Sequence, residues 1–313
     1  MKNKWCKRHF LTLMASGALL LQPLFVSADN QQPEEHIFVT VLTSVRPLTL
    51  IVRDLVRLAE LEAHIQVSPL LPAGASPHHL ALKAKDVARI KAADLLVWVG
   101  PQLETFLPKA IDEYRKGRTD LALSGLSDLN ESFGEHSDRE HQHGGTDPHV
   151  WLDPANAAVI ARSVKELLVK EMPSRSEVLQ LAYLRYLQEL SAKTNEISVK
   201  LQSVNQGRRS VAVYHDSLGH YLKRFHISQQ AALTMVPEQQ IGLKSLLQYK
   251  KQTEPACLLA DIGELSLARG FGEKLGWRLV GFDLLAQNME VNTYLQYLTG
   301  VTGAVEDCLQ VSL

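Results

Sequence analysis

Three histidines, far apart in the chain and each set in a short signature of turn-forming residues, could do chemistry here: His78 in GASPHHL, His149 in DPHVWLDP and His215 in YHDSLGH. A neutral imidazole offers one nitrogen lone pair. Three of them converging on one point make a borderline-soft site that suits Zn²⁺ better than Mg²⁺ or Ca²⁺. Because an ordinary imidazole protonates at about pH 6.5, such a site should release protons as it takes up metal. Its affinity should fall steeply from roughly pH 7 to pH 5.

The elements that must position these rings follow from the hydrophobic pattern. Short β-rich runs at 37–43, 65–71 and 95–99 alternate with helical stretches near 48–59, 85–92 and 103–114. After Arg209 the alternation resumes, with runs at 210–214, 256–260 and 277–280, helices near 217–224 and 265–275, and a closing helix over 290–309. Alternating β and α elements predict an α/β fold, with parallel sheets covered by helices on both faces.

Between the halves, residues 174–206 carry no strand signal. Leu184, Leu187, Leu190, Thr194, Ile197, Leu201 and Val204 recur there at spacings of three and four, one face of an α-helix. Pro173 ends the preceding helix, Ser174 can cap the new one and Gly207 can stop it. At 1.5 Å per residue this helix would run roughly 45 to 50 Å, a stiff strut between two lobes.

His149 falls just before a helix start, where Asp153 is a good N-cap and Pro154 suits the first helical position. His215 follows the apolar run 211–214, and His78 lies in the loop after the strand ending near Leu71. In open α/β sheets the carboxyl edge of the strands is where ligands bind, so the three rings are expected on one such edge, two from the first lobe and one from the second.

Lys2, Lys4, Lys7 and Arg8 precede an apolar run from Phe10 to Val26 with a small-residue cleavage pattern at Val26, Ser27 and Ala28, so residues 1–28 read as a cleavable secretory signal peptide. No later stretch approaches the ~20 apolar residues of a membrane helix. The chain holds 33 Lys and Arg against 34 Asp and Glu, and the signal removes only basic residues. That balance argues against a nucleic-acid partner, which needs clustered cations. Cys257 and Cys308 then remain as an even pair in an oxidising compartment, a disulfide rather than a thiol metal site.

Three blocks carry a family resemblance: LLPAGASPHHLALKAKDVARIKAADLLVWVGPQLETFL, DPHVWLDPANAAVIA and VAVYHDSLGHYLKRF. They resemble the zinc and manganese solute-binding proteins of bacterial ABC transporters, specifically the periplasmic zinc-uptake branch. The resemblance implies two (β/α) Rossmann-like lobes joined by a long rigid backbone helix: an N-terminal lobe over 29–173, the linking helix over 174–206 and a C-terminal lobe over 207–313. It implies Zn²⁺ held in the cleft by His78, His149 and His215 and delivered to an inner-membrane ABC permease by a monomeric, periplasmic carrier that is not an enzyme. It also implies a Cys257–Cys308 disulfide.

Pro77 stands where some relatives place a glutamate, and His79, often Asp, ranks well below His78 as a ligand. Asp261 or Glu264 in LLADIGEL is a candidate fourth ligand, with water as the alternative. The segment 135–145 (EHSDREHQHGG) is too polar to build a core, and its His136, His141 and His143 are candidates for accessory metal capture. His36, His64, His220 and His226 have no supporting spacing and read as ordinary surface or helix residues. The alternative readings are a manganese-specific protein of the same family and a secreted zinc hydrolase using Glu264 or Asp261 as general base. The hydrolase lacks the HExxH helix that would mark it.

Overall fold

A computed structural model describes residues 38–132, 146–206, 209–236, 239, 241–242, 249 and 257–310. The expected signal segment and His36, His136, His141 and His143 lie outside the described residues. In the first lobe the strands β1 (Val39–Thr43), β2 (Ile65–Pro69), β3 (Leu95–Trp98) and β4 (Thr119–Ala122) form a fully parallel sheet in the order β2-β1-β3-β4. Successive side chains point to opposite faces. Val39, Val41, Leu95 and Val97 therefore pack toward α1 (Arg46–Leu58), whereas Leu42, Leu96 and Trp98 pack with Ile90 of α2 (Ala84–Ala92) and Leu107 of α3 (Leu107–Tyr114).

The second lobe repeats the plan. Strands β5 (Ser210–His215), β6 (Ser228–Thr234), β7 (Cys257–Asp261) and β8 (Arg278–Phe282) run parallel in the order β6-β5-β7-β8. Ala212, Tyr214, Leu258 and Ala260 face Ala268 and Leu275 of one helix, and Val211, Val213 and Leu259 face the opposite side. Two strands escape the sequence pattern, β4 (TDLA) and β6 (SQQAALT). Both are edge strands, with too few consecutive apolar residues to signal a buried strand.

Four helices bind the lobes together: α1, α4 (Pro154–Glu171), α5 (Ser176–Val204) and the C-terminal helix α8 (Tyr294–Leu309). Helices α6 (Gly219–Arg224) and α7 (Leu265–Leu275) also belong to the second lobe among the described residues. Asp153 caps α4 through the amide of Ala155 at 2.9 Å, with Pro154 in the first turn. With 29 residues, α5 spans about 43 Å.

Its details differ from expectation. Ser174 sits in a 3₁₀ turn and Arg175 occupies the cap position without a side-chain bond. The buried face of the N-terminal half is Leu179, Ala182 and Tyr186, while Leu184 is 51% exposed. The large Tyr186 at the four-residue spacing before Leu190 turns that half of the helix inward on its own side. The disulfide Cys257–Cys308, with Cα atoms 5.3 Å apart, ties β7 to α8. Its 51-residue separation corresponds to roughly 4 kcal/mol on the chain-entropy estimate. Among the described residues no helix is long and apolar enough to cross a membrane.

Candidate metal centre

His78 lies in the loop between β2 and α2, fixed by its carbonyl accepting from the Thr105 hydroxyl at 3.2 Å. His149 opens the 3₁₀ turn that leads into α4, and His215 is the last residue of β5. The fold brings the three rings together: centroids are 6.1 Å apart for His78 and His149, 5.5 Å for His78 and His215, and 5.1 Å for His149 and His215. One nitrogen from each lies within 4.8 Å of the others, and all three side chains are buried.

Carboxylates orient two of the rings from behind. Oδ1 of Asp147 accepts from both the backbone amide of His149, at 2.9 Å, and its Nδ1, at 2.7 Å. Glu264 accepts from Nδ1 of His215 at 3.2 Å. A carboxylate bound to Nδ1 fixes that nitrogen as the protonated one and leaves the Nε2 lone pair free. The Nε2 atoms of all three histidines are buried with no hydrogen-bond partner. Three orphaned acceptors facing each other in one place are costly unless a cation fills the space between them.

The electrostatics agree. Burial, and then the neighbouring His149 and His215, lower the His78 ring to a pKa of about 3. Burial also lowers His149, against the attraction of Asp147. For Asp147 burial pushes upward, yet the charge of His149 and the bonds to it hold the carboxyl below its ordinary value. Rings lowered as His78 and His149 are, the latter backed by the carboxyl of Asp147, match the neutral-donor state that a borderline-soft cation requires.

Neither candidate fourth ligand joins the three rings. Asp261 takes the amides of Leu284 at 2.8 Å and Gly263 at 3.0 Å, so it ties loops together, and burial raises it to about 6. Glu264 reaches the site through His215, although its Oε2 is buried without a partner. His79 is exposed and outside the cluster. His220, read as an ordinary surface or helix residue, lies in α6 and is buried there, and its Nε2 donates to the carbonyl of Asp147 at 2.9 Å. Asp147 itself was missed, although an acid two residues before a histidine, in DPH, is the available signal. Trp151 is wholly buried beside His149, its indole NH reaching the Leu284 carbonyl at 3.3 Å and the Tyr297 hydroxyl at 3.1 Å.

Residues 41–306 match the family model described as zinc-uptake complex component A, periplasmic. The chain belongs to this zinc-uptake component A family. Within it, the chain is 30% identical over 284 residues to the high-affinity zinc uptake system protein ZnuA of Yersinia pestis, covering 83% of each chain. The namesake of Haemophilus influenzae is 26% identical over 293 residues, covering 79% of this chain and 81% of that one. Among solved structures, the periplasmic zinc-binding protein TroA of Treponema pallidum superposes with a TM-score of 0.72 at 19% identity, covering 88% of this chain and 100% of that one. The solute-binding protein FpvC of Pseudomonas aeruginosa, solved with Mn²⁺, gives 0.73 at 18% identity, covering 87% and 98%. These two structures establish the fold alone, and the family is one of solute-binding proteins rather than enzymes.

Proposed function

We propose that this chain captures Zn²⁺ between its two lobes through His78, His149 and His215 and delivers it, as a periplasmic monomer, to an ABC permease in the inner membrane. The observation that carries this reading is the set of three buried, partnerless Nε2 atoms within 4.8 Å of one another, drawn from both lobes. The family and the zinc-uptake relatives support delivery to a transporter. Asp147 and Glu264 act behind His149 and His215, setting ring orientation, and water takes the fourth position. His136, His141 and His143 are accessory capture groups in this reading.

Zinc is favoured over manganese because the converging donors are three imidazoles, whereas manganese suits harder oxygen ligands. A carrier is favoured over a hydrolase because Asp261 and Glu264, the available general bases, are held by loop amides and by His215. The test is competition between zinc and manganese for the purified protein and for His215→Ala. Zinc should win, and His215→Ala should lose at least about a hundredfold in zinc affinity, beyond the roughly 10- to 100-fold typical of losing only an outer-shell partner. Equal affinities for the two metals, or an unaffected variant, would defeat the proposal.

A further inference from the structure

Outside the metal cleft, at the seam between the lobes, lies a cavity of about 280 Å³ whose lining sets Arg46, Arg53, Lys83, Lys85 and Arg89 against one carboxylate, Asp86, in the first lobe, with Leu285 and Gln287 from the second. Among the described residues none of these five cations forms an ion pair. Asp86 accepts the Lys83 amide at 3.0 Å, and Asp283, which does not line the cavity, accepts the amides of Gln287 and Asn288 at 2.7 and 2.8 Å, so the cations still outnumber the carboxylates. Such a local excess of positive charge, in a chain whose formal net charge is −1, is a complement for an anion.

One of the five does more than line the cavity. Arg46, in α1, reaches across the seam and donates to the carbonyls of Ala286, of Asn288 at 2.9 Å and of Val291 at 2.6 Å. Residues 283–293, between β8 and α8, form a strap over the cleft: Leu284, Leu285 and Gln287 line the space that also holds His78, His215 and Glu264. Ala286 sits at φ +53°, a left-handed conformation that costs a residue with a Cβ about 1–2 kcal/mol. The guanidinium of Arg46 therefore clamps a strained backbone across the two lobes. Its hydrogen-bond acceptors there are neutral carbonyls, and the charge of Asp283 acts on it only through space.

We propose that this cavity receives an acidic side chain of the membrane partner, which draws Arg46 off the strap and thereby speeds release of the bound cation. The idea rests on the delivery reading above. Docking supplies the carboxylate and Arg46 exchanges three neutral carbonyls for an ion pair. Ala286 then relaxes, and the strap loosens over His215. Closure in solution and opening at the membrane follow from one residue with two alternative sets of acceptors.

The test is the rate of zinc loss to an excess of chelator, measured by stopped flow, with capped pentaglutamate or pentaglutamine peptide at matched ionic strength. In the wild-type protein pentaglutamate should accelerate zinc loss by about tenfold and pentaglutamine should not, the signature of a charge-specific contact. Lys83→Glu/Lys85→Glu changes two exposed residues outside the histidine cluster; it should keep the unassisted rate and lose the acceleration. Arg46→Gln should release zinc quickly without any peptide. Equal acceleration in wild type and double variant, no acceleration in wild type, or an unchanged rate in Arg46→Gln would overturn the latch. Failure of the wild type to bind zinc at all would instead overturn the delivery reading.

Discussion

At the scale of single residues, the site is defined by what stands behind each ring. Sequence composition treats three imidazoles as three ordinary titrating groups, which predicts a steep loss of metal affinity on acidification. Burial changes that expectation, because His78 falls to about 3 and His149 is lowered as well, so these two rings stay unprotonated across the mildly acidic range. The number of protons competing with zinc from pH 7 to pH 5 should therefore be smaller than the three expected of exposed imidazoles. Competition titrations at several pH values give this number as the slope of log Kd against pH, and a slope near three would contradict the burial argument. For the metal-free fold the pH dependence runs opposite to that of a histidine stabilised by an acidic partner. Below about pH 6.5 the unfolded His78 takes up a proton that the native ring refuses, so acid destabilises the fold through this residue down to about pH 3. The three rings were legible in the sequence from their turn-rich surroundings. Arg46 was not, because its partners lie 240 or more residues away and only the folded chain brings them near, whereas Asp147, two residues before His149 in DPH, left a local signal that went unread.

At the scale of elements, the loop edges of the two sheets were legible because strand and helix periodicities differ, and the N-cap signal at Asp153 placed the start of α4. The inward face of α5 was not, since a bare list of leucines cannot say which side the partners occupy. The contact of α1 with α8 was equally hidden. There Asp54 accepts the amide of Tyr294 at 2.9 Å, with Arg57 at 3.5 Å, and burial raises its carboxyl to about 6. A buried carboxylate with a raised pKa weakens the fold wherever it is ionised, above about pH 6. As pH falls from about 6 toward 4 the native form gains a proton before the unfolded form does, and this cost disappears. Asp54→Asn keeps an oxygen for Tyr294 and removes the charge. It should stabilise the protein by about 1 kcal/mol at pH 7.5, less than the full cost of the buried charge because the contact with Arg57 goes too, and the gain should be gone near pH 4. Urea denaturation at the two pH values decides it. A variant weakened at pH 7.5 would show that the Arg57 pair outweighs desolvation.

At the scale of the whole molecule, the expected strut between lobes is part of a larger construction. One contiguous hydrophobic cluster runs from Val39 and Leu55 of the first lobe, through Ile160 and Val164 of α4 and Leu179 and Leu201 of α5, to Val213, Leu259, Val301 and Leu309 of the second. Rigid-body separation of the lobes would tear this core, so opening must be confined to surface devices such as the strap over residues 283–293. The same continuity dictates how the protein melts. Two lobes on a flexible tether would unfold in two steps, whereas lobes sharing four helices and one core should unfold in one. Calorimetry of the metal-free protein should therefore show a single transition. Zinc, whose proposed ligands come from both lobes, should move that whole transition upward, by about 2.7 kcal/mol of added stability at a free concentration a hundred times Kd. Two transitions of which only one responds to zinc would mean that one lobe holds the ion without the other.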